Sequence, residues 1–374
     1  MAQKFRKIGV LTSGGDAPGM NAAVISVVSF ARSKGYKGVG IKGGYDGVLL
    51  KDSKFDVSKI SDPEQLTEAD WKALEPDIVE LTARKVREYL GQPGTFLHTA
   101  RCDEFVQEEY QKIGANNLRA LGITSVVVVG GDGSYKGARA LSRNGISCVC
   151  IPGTIDNDLA FTEMTLGYET AVQKCTEAIR EIRATSRSHN RPHVVECMGR
   201  HCGDIAIKAA CATGSEIVLV PEVKWSIDEV AARLNKQIAK GNYRATIVVA
   251  EGCWESMEPF DMYDFLTSNG EQCFKGEPIS ASRLATILKY KCGGAEVRST
   301  VVGYTQRGAL PVAKDSAFAF EAGHLAVRLL HDGVSNQVIG TRLGRVFHMG
   351  IQEALKEERH FRHDLYKLVN DIRE

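Results

Sequence analysis

The segment Pro152-Gly153-Thr154-Ile155-Asp156-Asn157-Asp158 puts two carboxylates two residues apart at the end of the apolar run CVCI. Carboxylates in that setting need a metal, another cation, or work as a base; the same bare pattern also makes an Asx-turn cap for a following helix. Two Gly-rich loops, Ser13-Gly14-Gly15-Asp16 and Gly130-Gly131-Asp132-Gly133-Ser134, let backbone N–H groups approach an anion, and each runs into an expected helix N-terminus. A Gly-Gly-Asp turn between strand and helix is also ordinary turn chemistry. Arginines recur in other loops: Arg101 in HTAR, Arg187 and Arg191 in TSRSHNRP, Arg200 in CMGRH, then Arg298 and Arg307. A guanidinium suits bidentate phosphate binding, although each one alone reads equally well as a surface ion pair. Together, phosphate cradles, arginines and carboxylates suited to Mg²⁺ describe phosphoryl transfer, in which catalysis is positioning and charge neutralisation.

The elements that must position these residues are short β-branched runs alternating with helical stretches. KIGVLT leads into SGGDAPGMN and the mixed apolar stretch 22–31, which reads as strand, Gly-rich loop, helix. Strand-like runs follow at 38–41, 125–129, 146–151, 193–197, 217–220, 245–250 and 297–303. Runs such as SVVVV belong to strands buried on both faces, and alternating β and α elements predict parallel sheets of Rossmann type, with ligands at the C-terminal strand ends. Residues 52–90, charged and rich in helix formers, read as an added helical arm.

Composition narrows the function classes. With 374 residues, roughly two domains of about 150 residues are expected. Lys plus Arg number 47 against 46 Asp plus Glu, so no basic excess exists to hold a nucleic-acid backbone. No apolar run nears the about 18 residues of a membrane helix, residues 1–15 lack a signal-peptide core, and the chain reads as cytoplasmic, without membrane or nucleic-acid partners. Ten cysteines without a C-x-x-C pair read as reduced and mostly structural. No P-loop motif occurs. The one G-x-G-x-x-G, at Gly38, Gly40 and Gly43, has VGI as the strand itself and YDGVLL following with extended character, which is the wrong place for a dinucleotide fingerprint. His360 and His363 suggest no third metal ligand and read as a solvated helix face.

Five segments in order, SGGDAPGMNA, GGDGS, PGTIDND, VVECMGRHCGD and TQRGALP, resemble the 6-phosphofructokinase family across nearly the whole chain. The resemblance implies Mg²⁺-dependent transfer of a phosphoryl group to the 1-hydroxyl of fructose 6-phosphate, the committing step of glycolysis. By motif, Asp156 is the general base, supported by Thr154 and Asp158, and Asp132 holds Mg²⁺. Gly14 and Arg101 cradle the transferring group, and Arg200 stabilises charge in the transition state. Tyr45, Cys102, Gly131, Gly133 and Ser134 lie where the family binds nucleotide. Met198, Gly199, Glu251, Tyr304 and Arg307 fall at the sugar phosphate, while Arg191 and Arg298 match arginines that reach the 6-phosphate across a subunit interface. The implied protein is a homo-oligomer, a dimer or tetramer.

The resemblance also bears on the phosphoryl donor. Pyrophosphate users resemble GGDD and PKTIDND, whereas this chain has Gly133 and Gly153, which favours ATP. A pyrophosphate enzyme, or the same chemistry on sedoheptulose 7-phosphate, is the rival. A silent regulatory subunit would have lost Asp132, Asp156 or Arg200, all present here; an oxidoreductase would need a working dinucleotide loop; NAD and lipid kinases lack PGTIDND and MGR. Ile25 and Ser29 stand where allosteric relatives carry effector arginines, and Tyr304 where many bacterial members have histidine. The implied fold is two Rossmann-like three-layer α/β/α domains, with 1–167 plus 306–357 for nucleotide, 168–305 plus 358–374 for sugar phosphate, and 52–90 as a helical insertion.

Overall fold

Runs of β-branched residues bury both faces in a parallel sheet, and most of the strands foreseen from such runs form at or within a few residues of those positions. The computed structural model describes residues 7–371; residues 1–6 and 372–374, at the outer ends of the two expected domains, lie outside the described residues. In chain order the elements are β1 (Lys7–Thr12), α1 (Met20–Ser33), β2 (Lys37–Ile41), α2 (Tyr45–Val48), α3 (Glu68–Leu74), β3 (Ile78–Leu81), α4 (Ala83–Arg87), α5 (Glu108–Ala120), β4 (Ile123–Gly130), α6 (Asp132–Arg143), β5 (Ser147–Pro152) and α7 (Tyr168–His189). There follow β6 (His193–Cys197), α8 (Asp204–Thr213), β7 (Ile217–Leu219), α9 (Ile227–Ala239), β8 (Thr246–Ala250), α10 (Met262–Ser268), α11 (Ala281–Lys291), β9 (Arg298–Val301), α12 (Ala313–His331), β10 (Gln337–Arg342), β11 (Arg345–Gly350), α13 (Ile351–Ala354) and α14 (His363–Asn370). Among the described residues no helix is long and apolar enough to cross a membrane.

The chain divides into two units. The first comprises Met1–Ile155, Leu159–Thr170 and Arg307–Arg359, the second Asp156–Asp158, Ala171–Gln306 and His360–Glu374. The assignment of Asp156–Asp158 to the second unit departs from the sequence-based division, which kept them in the first. Its physical basis is local: the Asn157 amide donates to the Asp204 carboxylate at 3.0 Å, tying the turn to the start of α8.

The first unit is built on a seven-stranded sheet of order β11-β10-β5-β4-β1-β2-β3, parallel except for the antiparallel pairs β2–β3 and β10–β11. Leu11, Val126, Val128 and Cys148 face one core with Leu118 of α5 and Tyr135, Ala138 and Leu141 of α6. α1 and α12 pack on each other and on the sheet. Ile25, on α1, is buried. The second unit has a four-stranded parallel sheet, β7-β8-β6-β9. Val194, Ile217, Leu219, Ile247 and Val249 share a core with α9 and α11, while α8 packs on β7 and β8 and α14 on α8 and β7.

Three expectations need correction. The stretch 52–90 is not a helical arm: Ile78–Leu81 pairs with β2 as an edge strand, and Leu74 and Ile78 are fully buried in the first unit's core with Phe55, Leu66 and Trp71 against it. Charge on the solvent side of these elements hides an apolar stripe that the sheet edge needs. After Gly43, YDGV is a helical turn and not extended chain. Gly38 and Gly40 sit inside β2, where a Cβ would meet Val28 at 3.2 Å and Leu97 at 2.6 Å, so these glycines serve packing. Finally, the β10–β11 hairpin at the far edge of the first sheet has no counterpart among the strands read from the sequence.

Candidate active site

In the first unit the two Gly-rich loops close on each other. β1 and β4 are parallel neighbours in register from Ile8 with Ser125 to Thr12 with Val129, so SGGD and GGDGS leave the same end of the sheet. The Ser13 N–H donates to the Val129 carbonyl at 2.9 Å and the Ser134 hydroxyl to the Ser13 carbonyl at 3.2 Å. A Cβ at Gly130 would stand 2.5 Å from the Ser13 carbonyl oxygen, so this approach requires glycine there. Gly14 has φ +93°, a left-handed backbone that favours glycine. Its carbonyl accepts from the Thr99 hydroxyl at 2.9 Å, and its N–H meets the Ala100 carbonyl only at 3.5 Å. Arg101 follows, exposed.

Asp132 begins α6, exposed, with Gly133 exposed beside it and Gly131 before it. The Lys136 ammonium sits 2.7 Å from the Asp132 carboxylate, one helical turn on. Tyr45 is buried beneath this loop: its hydroxyl donates to the Ser134 carbonyl at 2.5 Å and its ring stacks on Phe105. It shapes the loop from below. Cys102 is half-buried; burial, then a hydrogen bond with Asp46, pushes its thiol up to about 11, so it is a neutral thiol at pH 7. Asp46, Cys102 and Glu104 converge closely enough to share a cation, and Lys51 fills that role, 2.7 Å from Asp46 and paired with Glu104.

β5 delivers the PGTIDND segment beside β4. The Gly153 N–H donates to the Gly130 carbonyl at 2.9 Å and the Leu166 N–H to the Pro152 carbonyl at 2.7 Å, while the Thr165 hydroxyl donates to the Thr154 carbonyl at 2.6 Å. A Cβ at Gly153 would lie 2.9 Å from Val129 and 3.0 Å from Met20. Arg307 lies on the other Gly-rich loop, donating to the Asp16 carbonyl at 2.8 Å, with its guanidinium filling the space a Gly15 side chain would take.

In the second unit Asp156 is buried at 7% exposure, while Asp158 is exposed. Met198, Gly199 and Arg200 follow the C-terminal end of β6, and Glu251 follows β8 next to it. Gly199 and Arg200 both have positive φ, at +152° and +52°. The Glu251 carboxylate accepts the Arg200 N–H at 2.7 Å, fixing the turn, and the Gly203 N–H donates to Glu222 at 3.0 Å. Glu196, half-buried on β6, has its carboxyl raised by burial, with Glu251 adding to the effect and a backbone hydrogen bond with Ala281 opposing it. Tyr304 is 81% exposed past the end of β9.

Two positioning residues escaped the sequence reading. Gln306, fully buried, accepts the Met198 N–H on its side-chain oxygen at 2.9 Å; it lies in the TQRGALP segment and could have been singled out there. Gly252 lets the Arg200 turn close, since a Cβ on it would stand 2.1 Å from the Arg200 carbonyl oxygen. Arg191 and Arg298 are elsewhere: Arg191 precedes β6 and Arg298 opens β9, so both lie at the N-terminal edge of the sheet whose C-terminal edge carries Arg200, Glu251 and Tyr304.

The family model for phosphofructokinase matches residues 7–330. The chain is 39% identical over 368 residues to the ATP-dependent 6-phosphofructokinase of Clostridium tetani, covering 98% of this chain and 99% of that one. It is 37% identical over 368 residues to the ATP-dependent 6-phosphofructokinase 1 of Clostridium perfringens, with the same coverage of both chains. Among solved structures it is similar to phosphofructokinase from Saccharomyces cerevisiae, with a TM-score of 0.74 and 30% identity over 94% of this chain; it spans 45% of the yeast chain. A pyrophosphate-dependent phosphofructokinase from Marinobacter aquaeolei shares the fold, with a TM-score of 0.74 at 20% identity, over 96% of this chain and 86% of that one.

Proposed function

Because this chain belongs to the phosphofructokinase family, we propose that it transfers the terminal phosphoryl group of ATP to the 1-hydroxyl of fructose 6-phosphate, giving fructose 1,6-bisphosphate and ADP. The observation that carries this reading is its end-to-end similarity to ATP-dependent relatives. Asp156 takes the proton of the 1-hydroxyl as its oxygen bonds to the γ-phosphorus and the bond to ADP breaks. Thr154 and Asp158 support that turn. The Gly14 backbone and Arg101 hold the phosphoryl group, Arg200 meets charge that grows in the transition state, and the loop from Gly131 to Ser134, with Tyr45 beneath it, receives the nucleotide together with Cys102. Met198, Gly199, Glu251, Tyr304 and Arg307 take the sugar phosphate.

An exposed carboxylate at a helix start, supplemented by polyphosphate oxygens and water, is a donor set that fits Mg²⁺. Asp132 would hold it, giving up its contact with Lys136, and the ion would supply charge neutralisation of the phosphates.

Family membership implies a homo-oligomer, and the placement of Arg191 and Arg298 supports that reading. They stand about 16 Å, the length of five-residue β6, from the sheet edge that carries Arg200. That separation supports a role for them at the 6-phosphate of a neighbouring copy, as the family resemblance implies.

The test is fructose 1,6-bisphosphate formation from fructose 6-phosphate and Mg²⁺ with ATP and pyrophosphate offered separately, and with sedoheptulose 7-phosphate as a parallel acceptor. Product with ATP is expected. Product with pyrophosphate alone overturns the donor, a strong preference for the heptulose overturns the acceptor, and silence in every arm overturns the reaction. A second expectation concerns Gly252→Ala. Its methyl group meets backbone on the Arg200 turn and must displace it, so kcat falls by roughly 10–100-fold with circular dichroism unchanged; an unaltered kcat would remove the turn from the catalytic machinery.

A further inference from the structure

We infer that Glu296 is a resident carboxylate bound between the two arginines proposed for the sugar's 6-phosphate, and that it competes with that phosphate for them. The inference rests on the reading of Arg191 and Arg298 given above and adds a residue outside it. Parallel pairing of β6 with β9 sets His193 beside Arg298, and the Arg298 N–H donates to the Pro192 carbonyl at 3.0 Å. That register brings Arg191, immediately before Pro192, alongside the start of β9.

Glu296, two residues ahead of Arg298, spans the pair. Its Oε2 lies 2.7 Å from Nε of Arg191, and its Oε1 is bound by Nη2 of Arg298. One oxygen to each guanidinium is the arrangement in which a terminal phosphate bridges two arginines. The three side chains are 35% to 57% exposed, so an anion from solution can replace the carboxylate. His193 contributes no charge near neutral pH, because burial above all, with Arg298 adding to it, holds its pKa below the ordinary histidine value.

The charges decide which anion prevails. Two guanidinium groups around one carboxylate keep a net positive charge, whereas a dianionic phosphate neutralises both. A dianionic ester therefore displaces Glu296, and a singly charged or neutral sugar does not. Glu296 in this way sets the affinity threshold of the subsite.

The test is Glu296→Gln in the full-length protein, which keeps the size of the side chain and removes its charge. The KM for fructose 6-phosphate falls by roughly three- to tenfold, the range covered by two exposed ion pairs, while kcat stays unchanged. Inorganic phosphate becomes a correspondingly stronger competitive inhibitor. Calorimetric titration of fructose 6-phosphate without nucleotide gives the same shift. A raised KM would mean that Glu296 pre-orients the arginines, which overturns competition, and so would unchanged KM and inhibition constants. Arg191→Ala and Arg298→Ala separate the two possible failures. If both raise KM at least tenfold and Glu296→Gln does nothing, the Glu296 inference alone falls; if neither raises KM, the reading of these arginines falls with it.

Discussion

Asp156→Asn lowers kcat by roughly 10²–10⁴-fold, the usual worth of a positioned general base, and leaves the KM for fructose 6-phosphate within about threefold. The substitution is nearly isosteric, which matters because Asp156 is buried and its turn is fixed on both sides. Upstream, Gly153 and Thr154 are tied by backbone bonds to Gly130 and by the Thr165 hydroxyl. Downstream, Asn157 holds a left-handed conformation at φ +51° and bonds to Asp204. An amide at position 156 keeps this frame but cannot accept the hydroxyl proton. Steady-state kinetics with matched thermal melts decides the point. A kcat within about tenfold of the parent, with melting unchanged, would strip Asp156 of the base role, whereas loss of the melt would trace the effect to the turn. Asp158→Asn is expected to act in the same direction but less, since Asp158 is exposed whereas Asp156 is buried.

What the sequence made legible follows from where chemistry demands unusual residues. Glycine at 14 and 130 is forced by a left-handed backbone and by a carbonyl 2.5 Å from any side chain, so both loops could be marked before their contact was known. Buried parallel strands were equally visible as β-branched runs. The hairpin β10–β11 was not. Its turn places Leu343 and Gly344 at φ +51° and +71°, the geometry usually signalled by Asn-Gly, and a leucine there gives no such signal. β3 escaped because an edge strand of four residues, IVEL, lies within a charged stretch whose apolar side is seen only once Ile78 and Leu81 are buried against the sheet. In the candidate site, the residues proposed to touch ligand mostly lie in recognisable motifs, while what holds those motifs in place depends on partners distant in the chain. Gln306, although it lies in TQRGALP, and Gly252 and Glu296 are defined by Met198, Arg200 and Arg191, which stand 108, 52 and 105 residues away in the chain, and neither composition nor spacing reports those partners.

Gly133→Asp separates the electrostatic part of donor choice from its steric part, and it is expected to lower kcat/KM for ATP by roughly 5–100-fold with little change in melting temperature. Nothing lies within 4 Å of a Cβ at Gly133, and its backbone is not left-handed, so the side chain is accommodated. The cost is then Coulombic. A second carboxylate beside Asp132 in the first turn of α6 repels the nucleotide polyphosphate by about 1–3 kcal/mol at an effective dielectric near 20 and separations of about 5 Å, reduced by exposure. Raising ionic strength should therefore recover part of the loss, because exposed charges are screened over about 10 Å at 0.1 M salt. Gly153→Lys behaves differently. Its Cβ would press on Val129 at 2.9 Å and Met20 at 3.0 Å, with the Gly130 N–H at 3.2 Å, so it disturbs the joint between β4 and β5 and lowers the melting temperature as well as activity. The double substitution consequently does not become an efficient pyrophosphate enzyme: the charge pattern of such a site needs a backbone opened around position 153 first. Unchanged kcat/KM for ATP in Gly133→Asp, or a loss that salt leaves untouched, would show that Gly133 does not select the donor by charge.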